Sequence, residues 1–374
     1  LDKLLHIICL DIPFPANYGG AIDQYYKIKA LSEAGWQIIL HCFAYGERTE
    51  PQQALDSLCK EVHYYKRNTG MLGLHHSLPY IVSSRSNTKL LARLQDDKAP
   101  IWFEGVHTTF FLNHPSLSQR KKIIRIHNIE ADYYHQLGLH TEHFLKKMYY
   151  FFEAGRLKLY EKSLGATNVF ASISHTELLH FQKLYPTKTH VEIPAFHAFD
   201  HITSQLGYGP FCLYHGNLEI AENDKVALFL AQEVFHDMDI RIVIAGKNPT
   251  KELRALASNQ VQVVANPSDH ELNELMHQAH IHILPAWQNT GFKLKLLNSL
   301  FTGRHVLVNH LMLDGTGLDA LVHQADTATE FKLKIKELMS RSFEEHDLEL
   351  RKEQLEPFRI KNLVAKLETA LLGA

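Results

Sequence analysis

Short runs of aliphatic and β-branched residues recur along the chain, separated by longer segments with apolar positions at helical spacing. Leu4–Leu10 (LLHIICL) predicts a strand. The turn-rich Pro13–Gly20 then leads into a helical pattern from Ala21 to Ala34, closed by Gly35. Gln37–Phe43, Ile101–Glu104, Lys122–Ile126 and Asn168–Ser174 repeat the strand pattern through the first half. Nearly continuous apolar strands separated by helices predict a parallel sheet buried on both faces.

A second series follows a stretch rich in proline and glycine, Val191–Pro210. Its strand candidates are Phe211–Tyr214, Ile240–Ala245, Val261–Val264, Ile281–Leu284 and His305–Val308, with helical patterns at Asp224–Phe235, Asp269–Gln278 and Lys293–Thr302. The pattern predicts an α/β protein of two Rossmann-like domains, residues 1–195 and 207–355, with parallel sheets facing across a cleft. Residues 356–374, helical over Ile360–Leu372, are expected to pack back on the first domain. In such folds ligands bind beyond the carboxyl ends of the strands, so function is sought in the loops that follow them.

Composition narrows the choice of function. A chain of 374 residues suits two domains. With 39 Lys and Arg against 41 Asp and Glu, it lacks the cation surplus of a nucleic-acid-coating protein. Cys9, Cys42, Cys59 and Cys212 are far apart and form no C-x-x-C pair, which argues against a disulfide framework or zinc site. No apolar run approaches the roughly twenty residues of a spanning helix, and the amino-terminal segment lacks a signal-peptide cleavage pattern. The expectation is a cytoplasmic protein. The 26 histidines are scattered without ligand spacing.

Five loops carry candidate chemistry. Asn17-Tyr18-Gly19-Gly20 follows the first strand, where paired glycines admit close backbone approach to a ligand or simply make a tight turn. His127-Asn128-Ile129-Glu130 follows KIIRI and offers directional hydrogen bonds, or a helix start capped by Asn128. His215-Gly216-Asn217 precedes a helix expected near Asn223-Asp224, whose amino end would face a phosphate. Gly246-Lys247 ends the next strand with a cation suited to a diphosphate. The most specific is Asn289-Thr290-Gly291-Phe292-Lys293-Leu294-Lys295, opening a helix that carries Asn298 two turns on and ends at Gly303.

Together these segments resemble retaining glycosyltransferases of the GT-B fold, specifically family four. HNIEADYYHQL, the spacing of Glu153, Leu157, Tyr160 and Glu161, and ASISHTE are similar to the middle of that family's amino-terminal domain. TGFKLKLLNSLFTGRHVLV is similar to its donor-site signature. The resemblance implies transfer of a sugar from a nucleotide diphosphate sugar to the hydroxyl of a glycan or lipid-linked acceptor, with retention, no cofactor and no metal. It places His127 on the transferred sugar. Gly19, Gly20, Gly216, Asn217, Gly246, Thr290, Gly291, Phe292, Lys295 and Asn298 fall around the donor, and Asn17, Tyr18 and Asn128 toward the acceptor; Lys293 lines the departing diphosphate, and the cation that compensates it is Lys247, Lys293 or Lys295, unless Lys247 is an ordinary loop lysine. Three positions depart from the family: Thr290 and Asn298 stand where many members carry glutamates, and Asn217 where an arginine is common. These departures motivate a rival reading, a weak or inactive pseudo-glycosyltransferase that serves as a binding subunit.

Asp237-Met238-Asp239 spells a metal-binding Asp-x-Asp but precedes a strand, which places it at the wrong end of the sheet. His280 and His282 share one strand face and are expected to pack. Phe144–Leu164 mixes aromatics with lysines and fits either a buried amphipathic helix or a peripheral membrane contact.

Overall fold

The computed structural model describes residues 3–287 and 293–373. These form two compact units. One runs up to Ala198 and takes in the stretch from Ile360; the other runs from Phe199 to Arg359 among the described residues. Each is built on a parallel sheet.

In the first unit the strands are β1 (Leu4–Cys9), β2 (Gln37–Ala44), β3 (Glu61–Lys66), β4 (Ile101–Glu104), β5 (Lys122–Ile126), β6 (Val169–Ser172) and β7 (Thr189–Glu192). They lie in the order β3-β2-β1-β4-β5-β6-β7. β1, β4, β5 and β6 are buried along nearly their whole length, because helices cover both faces. One side chain layer joins Leu5, Ile7 and Trp102 to Ile28 and Leu31 of the helix Gly19–Glu33. The helix Ile360–Leu372 completes that layer with Leu363, Leu367 and Leu371. Its Glu368 accepts from the Trp36 indole at 3.0 Å and pairs with Lys3 at 2.9 Å.

The second unit has β8 (Cys212–Asn217), β9 (Ile242–Lys247), β10 (Val261–Ala265), β11 (Ile281–Ile283), β12 (His305–Val308) and β13 (His323–Gln324), in the order β10-β9-β8-β11-β12-β13. His280 and His282 are buried and bonded inward. His280 meets the Leu338 carbonyl at 2.8 Å and His282 meets Ser299 at 2.8 Å.

The sequence pattern did not disclose β3, β7 and β13, nor the helices Ala328–Met339 and Glu345–Gln354. The three strands lie at sheet edges, where one side stays wet and the apolar run is broken. The helix expected at Asp224–Phe235 instead begins at Ala221 and passes at Leu230 into a π-helical turn, Leu230–Val234.

Candidate functional site

Two clusters gather at the carboxyl ends of the two sheets, one in each unit.

In the first, Gly19 and Gly20 open the helix that follows β1, with Tyr18 as its N-cap. The Tyr18 hydroxyl donates to Asp11, and Arg48 stacks 4.9 Å from the Tyr18 ring. Arg48 also donates to the Ile12 and Pro15 carbonyls at 2.7 Å each and to the Asn17 side chain. The loop is therefore clamped by an arginine that the sequence reading did not single out. A Cβ on Gly20 would lie 3.0 Å from the Tyr18 ring, which explains the small residue there.

His127 follows β5 and closes a buried network. Its Nε2 lies 3.0 Å from Glu104 at the end of β4, and its Nδ1 lies 3.9 Å from Asp23. Lys27, one turn after Asp23, is fully buried at 3.2 Å from Asp23 and 2.6 Å from Glu104. Arg125 pairs with the other side of Asp23 at 3.0 Å. The two cations and backbone donation from Phe196 hold the Asp23 carboxyl well below its ordinary range, against the opposing effect of burial. Glu104 is lowered as well: Lys27 and His127 outweigh the desolvation that opposes them. Among the described residues, Asp23, Glu104 and His127 are the cluster with metal-ligand proximity. The space between its carboxylates is taken by the Lys27 ammonium, so the donor set suits an ion-pair network rather than a divalent cation. His127 itself keeps 12% of its side chain open.

Asn128 is half-buried beside it and does not cap the next helix: Ile129 is the N-cap of Glu130–His140 and makes no side-chain bond there. Glu130 is buried in the first turn, with Oε2 unbonded and His107 at 3.8 Å. Desolvation pushes its carboxyl up to about 8, with Glu161 adding to the effect. Glu153, Leu157, Tyr160 and Glu161 all point into the unit. Glu153 accepts from the Tyr80 amide at 2.6 Å, Tyr160 meets Thr109 at 2.9 Å, and Glu161 accepts from the Ala131 amide at 3.1 Å.

The second cluster surrounds the end of β8. Gly216 and Gly246 sit side by side in register, and a Cβ on Gly246 would fall 2.0 Å from the Gly216 carbonyl, so no side chain fits. Lys295, in the first turn of the helix Leu294–Thr302, reaches across to this point. Its Nζ donates to Asn223 at 2.5 Å, lies 5.2 Å from the Tyr214 ring, and would stand 2.9 Å from a Cβ on Gly216. Burial draws its pKa down to about 8, with Glu222 opposing and Lys293 adding to the shift. Lys293, the N-cap of that helix, is lowered by burial too. Asn298 is half-buried on the same helix.

The other predicted positions have their own surroundings. Lys247 is more than half exposed and pairs with Glu219 at 3.2 Å. Asn217 spends its side-chain oxygen on the Glu219 amide at 3.1 Å. The helix after β8 starts at Ala221 and carries Glu222 and Asp224 in its first turn. A phosphate at that amino end would meet two carboxylates, so the lysines of the following cluster are the better anion partners. Asn289, Thr290, Gly291 and Phe292 lie outside the described residues. Asp237 precedes β9 and pairs with Lys332 at 2.7 Å.

Two parallel β/α units of this kind, each with its loop chemistry at the carboxyl end of the sheet, define the GT-B fold. Solved structures agree over nearly the full length. TarM aligns with a TM-score of 0.69 at 9% identity, covering 99% of both chains. HepE of Anabaena, solved with UDP and glucose, aligns at 0.66 and 11%, covering 98% of this chain and 100% of its own. Sucrose-phosphate synthase of Thermosynechococcus elongatus gives 0.66 at 12%, covering 99% of each. In sequence, the chain is 29% identical over 332 residues to an uncharacterized 44.6 kDa protein in the cps region of Klebsiella pneumoniae, covering 83% of this chain and 84% of that one. No protein-family model matches the chain.

Proposed function

We propose that the protein is a glycosyltransferase that moves a sugar from a nucleotide diphosphate sugar to the hydroxyl of a glycan or lipid-linked acceptor, with retention and without a metal. The observation that carries the reading is Lys295 held against Gly216 at the carboxyl end of the second sheet, with Lys293 at the N-cap of the same helix, in a GT-B fold. HepE, a neighbour of the same fold, was solved with UDP and glucose, which supports a nucleotide-linked donor. The Klebsiella relative in a cps region supports polysaccharide or glycoconjugate assembly.

In this reaction the bond from the anomeric carbon to the diphosphate oxygen breaks, and its electron pair leaves with the phosphate. The acceptor oxygen forms the new bond, and its proton passes to the departing diphosphate. Stabilising that leaving group is the main electrostatic task. Lys295 and Lys293 supply charge there, joined in this reading by the amides of Gly291 and Phe292. His127, oriented by Glu104, meets the transferred sugar. Because the ammonium of Lys295 titrates near 8, its charge fades as pH rises through that value, and donor affinity falls with it.

Thermal-shift measurements with UDP-, GDP- and ADP-linked sugars test this, since a ligand bound to the native state raises its melting temperature. One of these donors stabilises the protein, and Lys293→Ala, Lys295→Ala and Gly291→Val each remove the shift while the unliganded protein stays folded. An undiminished shift in all three variants would place the donor elsewhere.

A further inference from the structure

Two buried arginines stand at the carboxyl end of the first sheet without a counterion. Arg67 follows β3 directly. Its Nε donates to Ser84 at 2.9 Å, and its guanidinium lies 4.3 Å from the Tyr45 ring and 5.6 Å from the Tyr80 ring. Arg85 donates from Nε to the Leu10 carbonyl, just past β1, at 2.9 Å and from Nη1 to the Ile81 carbonyl at 2.6 Å. Among the described residues, neither Nη of Arg67 nor Nη2 of Arg85 makes a hydrogen bond, and neither guanidinium has a carboxylate within 4.0 Å. Burial, then the charge of Arg67, draws Arg85 down to about 9. The way in from solvent is past Tyr45, whose side chain is 50% exposed.

The acids of the same region do not take up this charge. Asp11 is engaged by the Tyr18 hydroxyl and by Arg48 at 4.0 Å, and its second oxygen is unbonded. Glu130 is held protonated by burial, and its Oε2 is unbonded too. Carboxyl oxygens with no partner of their own have thus not been drawn to the guanidiniums. A buried cation pair left in this way suits an anion from outside. The pair also lies near the presumed chemistry. His107 feels the charges of both arginines and of His127. A Cβ on Gly105, after β4, would lie 2.9 Å from His107 and 3.6 Å from His127, so the two imidazoles flank one glycine. The arginines and His127 therefore belong to one cluster, built by the loops after β1, β3, β4 and β5.

We propose that the acceptor is an acidic saccharide, its carboxylate or phosphate ester held by Arg67 and Arg85, its ring beside Tyr45, and its reacting hydroxyl directed toward His127. Three uncommitted guanidinium nitrogens can meet the oxygens of such a group through charge-assisted bonds, and the fixed fork of arginine selects that shape over a neutral hydroxyl. A tyrosine ring supplies an apolar plane with a polar tip, which suits a sugar. The proposal deepens the transferase reading and rests on it: it names the acceptor class and assigns specificity to two arginines outside the resemblance.

The test is an NMR titration of the full chain with four probes: methyl glucuronide, glucose 6-phosphate, neutral methyl glucoside and inorganic phosphate. The wild type binds at least one of the two acidic sugars about tenfold or more tighter than methyl glucoside and than inorganic phosphate. Whichever acidic sugar binds tighter identifies the anion, carboxylate or phosphate ester. Arg67→Gln removes the margin over methyl glucoside, and Arg67→Lys, which keeps the charge without the fork, restores part of it. The melting temperature of each unliganded variant confirms that it is folded. Equal binding of acidic and neutral sugars, no binding of either acidic sugar, or an undiminished margin in Arg67→Gln overturns the proposal. So does inorganic phosphate binding as tightly as the acidic sugars, which would make the site an anion site with no use for the ring. The donor-induced thermal shift is read on the same samples. Its absence in the wild type would sink the transferase reading whatever the probes show, and its persistence beside charge-blind sugar binding would sink only the acidic acceptor.

Discussion

Glu130 offers a stability measurement with a definite sign. It is 1% exposed in the first turn of its helix, and the groups that face it come from four neighbouring elements. His107 stands 3.8 Å away and is kept neutral by burial and by Arg85; Glu161, Asn128, Arg85 and Glu177 also act on the carboxyl. Burial pushes the Glu130 carboxyl up to about 8. An unfolded glutamate releases its proton near ~4.3. The folded protein therefore holds this proton more tightly than the unfolded chain does. Its contribution to stability is complete below the unfolded value and is lost as pH rises through about 8. At ~1.4 kcal/mol per pH unit, the loss across that window is roughly 5 kcal/mol.

Glu130→Gln keeps the shape and removes the titration. Urea unfolding of the first unit, followed in wild type and variant from about pH 5 to about pH 9, isolates the residue because every other group is common to both. Near pH 5 the two stabilities agree within ~1 kcal/mol, the scale of one altered hydrogen bond. Near pH 9 the variant is the more stable by several kcal/mol. A difference curve that stays flat across the range would refute the reasoning, since it would mean that Glu130 ionises as readily inside the protein as outside. The measurement also bears on Arg85, whose charge is among those that act on the Glu130 carboxyl.

Lys27→Met strips the cation from between Asp23 and Glu104 and should destabilise the first unit by about 3–5 kcal/mol in the same assay. Adding Glu104→Gln should restore part of that loss, because the orphaned charge goes with it. Sugar transfer should survive EDTA, because lysines supply the charge at the leaving group; a transfer rate that collapses with chelator and returns with a divalent cation would contradict the metal-free chemistry.

The central strands were legible because burial on both faces leaves an uninterrupted aliphatic signature, as in LLHIICL and KIIRI. Edge strands lack that constraint: EVHYYK in β3 alternates and reads as a charged loop. The loops after strands were legible as places for chemistry because the fold itself puts them at one end of the sheet. The network beneath His127 was not. Asp23 and Lys27 come from one helix, Glu104 and Arg125 from two strands, and their meeting is a product of tertiary packing. A signal was nevertheless present. Arg125 interrupts an apolar strand, Glu104 ends another, and Asp23 and Lys27 occupy one face of a helix at i, i+4 spacing. Charges set in core positions at several places at once need one another, and that need was readable without coordinates.

The segment Phe144–Leu164 shows how a motif and a surface constrain each other. Its composition fits a buried helix as well as a membrane-facing one, and helical periodicity cannot say which side is inward. Glu153, Leu157, Tyr160 and Glu161 decide it. The two carboxylates accept backbone amides from Tyr80 and Ala131, and Tyr160 meets Thr109, so the polar members of this set bond inside the unit. A helix pinned by that face must turn the opposite one outward, and here that face is Phe144, Leu145, Met148 and Phe152. Exposed aromatic and aliphatic side chains in such a row are costly in water unless something covers them. The inward bonds of Glu153, Tyr160 and Glu161 therefore fix an orientation that composition alone left open, with Phe144, Leu145, Met148 and Phe152 turned away from the unit's interior.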